Sequence, residues 1–402
     1  MSAFLFVVPP LTGHINPAVG VAARLTARGH RVAWVCADPA LVRRLAGPDA
    51  EVHGCAGPVP GADGAVRPPE LRGAEALKFL WERYLLPLAD AMAPGVRGAV
   101  EAVRPDVVVA DQQAFAGALV AERAGLPWAT SATTSAEFSG AYDGLPKVAA
   151  WLDRSLAGLR TRIGDPAGTA DPRFSPHLLL IFSTPELIGP QAPLAPHIHY
   201  VGPSLAGRPA GPGFPWERLD PGRAKVLVTL GTANADVGVR FLTECLTALR
   251  ERADRVQAVI ADPGGVLPVP PGDKDVLVLP SVPQLPLLER MDAVVCHAGH
   301  NTVCEALWHG VPLVAAPIRD DQPVVAGQVV DAGAGVRVRF GRVTADRLGA
   351  ALDTVLADRS LRAAAARIRT AFRAAGGARA AAAHLEHLAD FTDFADSEAE
   401  SR

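Results

Sequence analysis

Short apolar runs alternate along the chain with stretches whose apolar residues recur at helical spacing. Phe4 to Val8 is wholly apolar and closes on Pro9-Pro10, and from Pro17 onward apolar residues return at Val21, Ala22 and Leu25 as far as Gly29. That order is strand, loop, helix. Arg31 to Ala37 (RVAWVCA) is a second run, followed by Asp38-Pro39 and the helical ALVRRLA. A third, Asp106 to Ala110 (DVVVA), follows a helical stretch from about Leu85 to Val103 and precedes AGALVAERAGLP, a helix ending at Gly125 and Pro127. Apolar runs of this kind between helices belong to strands buried on both faces, so the sheet is parallel.

Residues 203–224 (PSLAGRPAGPGFPWERLDPGRA) carry Pro and Gly at a density that neither helix nor strand tolerates. Beyond them the pattern restarts at Val226–Leu230 (VLVTL), then the helical VRFLTECLTALRERA, then VQAVIA, DVLVLP, DAVV, LVAAP and GVRVRF with helices between. Two Rossmann-like halves, 1–203 and 224–378, joined by a linker over 204–223, are the expected organisation. From Thr344 to Ala389 the chain is rich in Ala and Arg with helical periodicity, and the final DFADSEAESR is acidic and expected to fray. Residues from about 55 to 75 and 133 to 175 are rich in Gly, Pro, Asp and small polar residues. Loops or short helices at a pocket mouth are expected there rather than sheet.

Composition narrows the partner. The 402 residues are 49% hydrophobic and 20% charged, enough apolar material for full cores, and the formal net charge of −3 offers no positive field to a nucleic acid or an anionic membrane. A small molecule is the expected partner. Five cysteines without a CxxC pair fit a reducing compartment. The N-terminus lacks the basic region and small-residue cleavage site of a signal peptide, and no apolar stretch is long enough to span a bilayer. The expectation is a cytoplasmic enzyme.

In open α/β sheets ligands sit beyond the C-terminal ends of the strands, so the residues after each apolar run are where chemistry is sought. The first strand leads into Pro10-Leu11-Thr12-Gly13-His14-Ile15-Asn16-Pro17. This is not the GxGxxG of a dinucleotide site, which disfavours an ordinary dehydrogenase. His14, in a loop just before the helix, suits general-base work on a hydroxyl; alone, it could equally fill a turn. Asp111 follows DVVVA at the same sheet edge, where a carboxylate can orient the imidazole or simply cap the next helix. In the second half, Gly231-Thr232 follows a strand, and His297, Gly299, Asn301 and Thr302 crowd donors at the start of another helix, an arrangement that suits a diphosphate. Cys296, His297, His300, Cys304 and His309 also allow a metal reading, but no HExxH or CxxC supports it and no metal is expected. Glu305 could accept hydrogen bonds from ribose hydroxyls or be a solvated helix charge, and Asp320-Asp321-Gln322 could bind sugar hydroxyls or form a polar loop.

Together these residues resemble the inverting glycosyltransferases of the GT-B fold, the family 1-type enzymes of plant and bacterial secondary metabolism that move sugars from nucleotides to small lipophilic acceptors. The resemblance covers nearly the whole chain. It is strongest over SVPQLPLLERMDAVVCHAGHNTVCEALWHGVPLVAAPIRDDQ, Ser281 to Gln322, where W-x-P-Q, H-x-G-x-N-[ST], a Glu, HGVP and [DE]-Q of the family's donor-binding signature recur at these spacings. It implies an α/β fold of two Rossmann-like domains facing across a cleft, an acceptor domain and then a nucleotide-sugar domain, with a C-terminal helix and tail over 379–402 packing back on the first.

By the same resemblance, Gln284 would touch the base, Glu305 the ribose, and Asp321 and Gln322 the transferred sugar, with Val282 among the donor-binding residues. His297 and Thr302 would hold the diphosphate, whose departing charge would fall on the helix N-terminus near Asn301 with Thr232 assisting, and Gly231 and Gly299 would be donor-binding residues. His14 would be the base and Asp111 its partner. Ser281 stands where the family usually has the aromatic that stacks on uracil. The ribose role of Glu305 favours UDP over dTDP, with UDP-glucose the foremost donor, a dTDP-deoxysugar the alternative, and a UDP-sugar epimerase less favoured. The implied mechanism is a single displacement with inversion, without metal or cofactor beyond the nucleotide sugar. Phe79, Tyr84, Phe115, Phe138 and Tyr142, with Trp128, would line the acceptor pocket, though such aromatics equally suit a core. A serine hydrolase is disfavoured because G-x-S-x-G is absent.

Overall fold

The apolar N-terminal run folds as strand β1, Ala3–Val7, and its alternation divides it between two cores. Phe4 and Phe6 pack with Ile15 and Val19 of the helix Thr12–Ala27 and with Ala381 and Leu385 near the C-terminus. Leu5 and Val7 face the other way, onto Leu88 and Met92 of the helix Leu86–Val103 and onto Phe115 and Leu119 of the helix Phe115–Arg123. A strand covered on both sides has no polar face to show, which is why its sequence is continuously apolar.

The computed structural model describes residues 1–59, 71, 73–138, 145–189, 194–209, 211–231, 238–270 and 272–400. Two units form. The first comprises 1–183, 191–209 and 375–402, and the second 184–190 and 210–374. In the first, β1 is joined by β2 (Arg31–Cys36), β3 (Glu51–Gly54), β4 (Val107–Asp111), β5 (Trp128–Ala132), β6 (Leu178–Ile181) and β7 (Ile198–Tyr200). All pairs are parallel, in the order β3-β2-β1-β4-β5-β6-β7. The second unit has β8 (Ala224–Thr229), β9 (Val256–Ala261), β10 (Val276–Leu279), β11 (Ala293–Cys296), β12 (Leu313–Ala315) and β13 (Gly335–Arg337). Its parallel order is β10-β9-β8-β11-β12-β13. Each sheet therefore reverses its winding once, between β1 and β4 and between β8 and β11, and at such a switch point the loops part and leave room for a ligand.

Several sequence expectations need correction. The first helix starts at Thr12, so His14 lies in its first turn and not in a preceding loop. Asn16-Pro17 suggests a boundary, but burial of Ile15, Pro17 and Ala18 holds the turn that proline weakens. Within the stretch expected to be loops or short helices, Pro146–Ile163 forms an 18-residue helix that buries Leu152, Leu156, Leu159 and Ile163 at helical spacing. Within the expected linker, the chain from residue 211 lies in the second unit, where Phe214 packs on Trp216 and the Arg290 guanidinium lies 4.7 Å from the Trp216 ring. The C-terminal segment joins the first unit from Ala375, and its helix, Gly377–Glu400, extends through the region expected to fray. No Gly or Pro interrupts residues 378–400.

All five cysteines are free thiols. Among the described residues no helix is long and apolar enough to cross a membrane.

Candidate active site

His14 and Asp111 come from the two sides of the first switch point. Asp111 ends β4 with a fully buried side chain, and His14, whose side chain is 17% exposed, brings Nδ1 to 2.9 Å from Oδ1 and 3.0 Å from Oδ2. A buried carboxylate needs donors, and this one has more than the imidazole. The Gln113 backbone N–H donates to Oδ1 at 2.8 Å. Thr133, the first residue after β5, donates its hydroxyl to Oδ2 at 2.9 Å and lies 2.8 Å from His14 Nδ1. With Nδ1–H directed at the carboxylate, the basic lone pair of the imidazole is on Nε2.

The sequence reasoning missed Thr133. Its position nonetheless carries a signal, since Thr133 directly follows β5 at the C-terminal edge of the sheet.

The aromatic residues proposed as acceptor walls separate. Phe115 is a core residue, 1% exposed, its ring 5.2 Å from that of Trp81, because it opens a helix whose inner face packs on the sheet. Trp128 is likewise buried within β5. Phe79 is half-buried, and half-buried Phe138 packs on Phe174 at 5.4 Å. Tyr142 lies outside the described residues. Tyr84 sits in the π-turn Trp81–Leu85, a local widening frequent at functional positions. Burial raises its phenol above the ordinary range, and the neighbouring Cys36 and Asp111 push the same way, which places it in the field of the dyad.

The second switch point brings Gly231, after β8, together with His297, after β11. The His297 ring is wedged between glycines. A Cβ on Gly231 would lie 2.7 Å from its Cε1, and one on Gly299 would overlap Nε2. Between them Ala298 adopts a left-handed φ of 63°, a strained turn for a non-glycine residue, so the backbone bends sharply into the helix His300–Trp308. Asn301 and Thr302 lie in the first turn of that helix, where backbone N–H groups point outward and favour an anion. Thr232 lies outside the described residues.

Glu305, one turn further on, is 4% exposed and accepts a 2.5 Å hydrogen bond from Gln284 Nε2, a pairing across 21 residues that the sequence did not reveal. Gln284 opens the helix Gln284–Leu288, and half-buried Val282 precedes it. Asp321 precedes the helix Gln322–Asp331. The Gln322 side-chain Oε1 accepts the N–H groups of Ile318 at 2.9 Å and Arg319 at 3.1 Å, which fixes the side chain against the loop before its own helix. Burial pushes the Cys296 thiol up to about 12, which keeps it protonated.

Known proteins resemble the chain over nearly its whole length. A demethyllactenocin mycarosyltransferase of Streptomyces fradiae is 31% identical over 96% of this chain and 87% of its own. The chain belongs to the family 1-type glycosyltransferases. TDP-daunosamine transferase DnrS of Streptomyces peucetius is 30% identical over 89% of this chain and 90% of its own. The model for the C-terminal domain of erythromycin biosynthesis protein CIII-like proteins matches residues 264–388 of the glycosyltransferase. A crystal structure of the glycotransferase of kitacinnamycin superposes with a TM-score of 0.76 at 28% identity, covering 96% of this chain and 98% of that one. The fold is GT-B, and the protein is a glycosyltransferase of natural-product biosynthesis.

His297 gives this glycosyltransferase an acid-sensitive point. Burial lowers its pKa from 6.5 to about 4, aided by the charge of Arg319, so the folded state keeps the ring neutral while the unfolded chain protonates it. Both states are neutral above 6.5; as pH falls from there to about 4 only the unfolded state gains the proton, and folding loses about 3 kcal/mol in total. Calorimetric melts at pH 7 and 4.5 should show His297→Gln losing less stability than the wild type. Equal losses would mean that the ring is not held neutral.

Proposed function

We propose that the glycosyltransferase moves a hexose, glucose foremost, from UDP to a hydroxyl of a small lipophilic natural product, with inversion and without metal or cofactor. The observation that carries this reading is the His14 imidazole held at 2.9 Å by the buried Asp111. His14 Nε2 takes the acceptor O–H proton as that oxygen bonds to the anomeric carbon, and Asp111 stabilises the imidazolium that results. The anomeric carbon–oxygen bond to the diphosphate breaks, and UDP leaves with the electron pair. Its developing charge falls on the N-terminus of the helix His300–Trp308 and on the turn at His297, where fixed dipoles need not reorganise as charge builds. One attack on the face opposite the leaving group inverts the centre.

UDP is preferred on account of Glu305, whose carboxylate can accept both ribose hydroxyls as well as the Gln284 amide. A TDP-sugar is the second reading, favoured by the TDP-daunosamine transferase relative and by exposed Ser281 in place of a stacking aromatic. Calorimetric titration with UDP and dTDP needs no acceptor. UDP should bind at least about tenfold more tightly, and Glu305→Gln should narrow the gap. Equal or tighter dTDP binding overturns the UDP assignment, and binding of neither overturns the transferase site on the second unit.

A further inference from the structure

The dyad has a third member. We infer that Thr133 is a positioning residue that locks the His14 imidazole in its reactive tautomer, an inference that rests on His14 being the base. Three observations converge on it. Thr133 is 4% exposed, so its hydroxyl is committed to protein partners and not to bulk water. It reaches both members of the dyad, 2.9 Å to Asp111 Oδ2 and 2.8 Å to His14 Nδ1. It is anchored by the sheet itself, because it follows β5, whose Ser131 is in register with Asp111 on β4.

The donor and acceptor count fixes the direction of each bond. Asp111 holds no proton to give as a carboxylate, so the Thr133 hydrogen goes to Oδ2 and its oxygen lone pairs are left to accept. The Nδ1–H of His14 then lies between the carboxylate and the Thr133 oxygen, and both favour the proton on Nδ1 over Nε2. Gln113 N–H holds Oδ1 and Thr133 holds Oδ2, so the carboxylate is clamped at both oxygens and cannot turn away from the ring. When Nε2 takes the acceptor proton, the imidazolium forms against acceptors already in place, with no reorganisation of the surroundings.

Thr133→Val keeps the shape and removes the hydroxyl, whereas Thr133→Ser keeps the hydroxyl. Protein labelled with 15N-histidine reports the His14 ring directly, with the resonance assigned by its loss in His14→Ala. Wild type and Thr133→Ser should show a sheltered Nδ1–H. In Thr133→Val that proton should exchange with water at least about tenfold faster, while UDP affinity by calorimetry is unchanged. With UDP-glucose and a phenolic probe acceptor, kcat should fall about tenfold at constant KM for UDP-glucose. A Nδ1–H in Thr133→Val as sheltered as in wild type, or a Thr133→Ser protein that behaves like Thr133→Val, overturns the inference. If His14→Ala retains transfer, the base assignment itself fails; if it loses transfer while Thr133→Val matches wild type, only the role of Thr133 fails.

Discussion

His14→Ala is expected to lower transfer by about 10³-fold while leaving UDP affinity within about twofold of wild type. The asymmetry follows from where His14 stands. It belongs to the first unit, in the first turn of the helix that follows β1, whereas Gln284, His297 and Glu305 all belong to the second. On the proposed mechanism, removing the ring deletes the base without altering a residue assigned to the nucleotide. Asp111→Asn should cost less, about 10²-fold, and through a different route. The amide can still touch the ring, but it carries no charge to stabilise an imidazolium, and the donors at Gln113 N and Thr133 Oγ1 then compete for one carbonyl oxygen. Transfer rates at saturating donor, beside UDP calorimetry on the same preparations, separate the two effects. Loss of UDP binding together with transfer in His14→Ala would make His14 structural.

Where the sequence was legible, burial explains it. Strands β1, β2, β4 and β8 carry uninterrupted apolar runs because helices cover both faces, and the motif from Ser281 to Gln322 is contiguous, so its spacing survives in one dimension. Strand β5 (WATSA) was overlooked because it is short and polar, and with it Thr133 was lost from view. The start of the first helix was misplaced because Asn16-Pro17 is a local signal overruled by tertiary burial of Ile15 and Ala18. Phe115 reads equally as pocket wall or core in the sequence, since nothing in an aromatic residue states which side of a helix it will face. The Gln284–Glu305 bond joins two helices brought together only by the fold. The dyad itself was within reach because Asp111 ends an identifiable strand and His14 opens the helix that follows another.

Gly299→Ala should weaken UDP binding about 100-fold, equivalent to about 2.7 kcal/mol. The cause is steric and specific to one ring. Gly299 has an ordinary extended backbone, φ −62° and ψ 136°, that alanine can adopt without strain. Its added methyl, however, would overlap His297 Nε2. The ring is also approached from the other side by Gly231, where a Cβ would come within 2.7 Å of Cε1. The imidazole or the Ala298 turn must therefore shift, and either movement takes donors out of line with a diphosphate at the helix N-terminus. Gly231→Ala should do the same with added backbone cost, because its φ is +69°. Gly327→Ala, in a helix of the same unit where a Cβ meets nothing within 4 Å, serves as the control and should bind UDP like wild type. UDP affinity in Gly299→Ala within about threefold of wild type would show that the turn at His297 does not cradle the diphosphate, since a loss below about 0.7 kcal/mol is too small for a displaced charge-assisted contact.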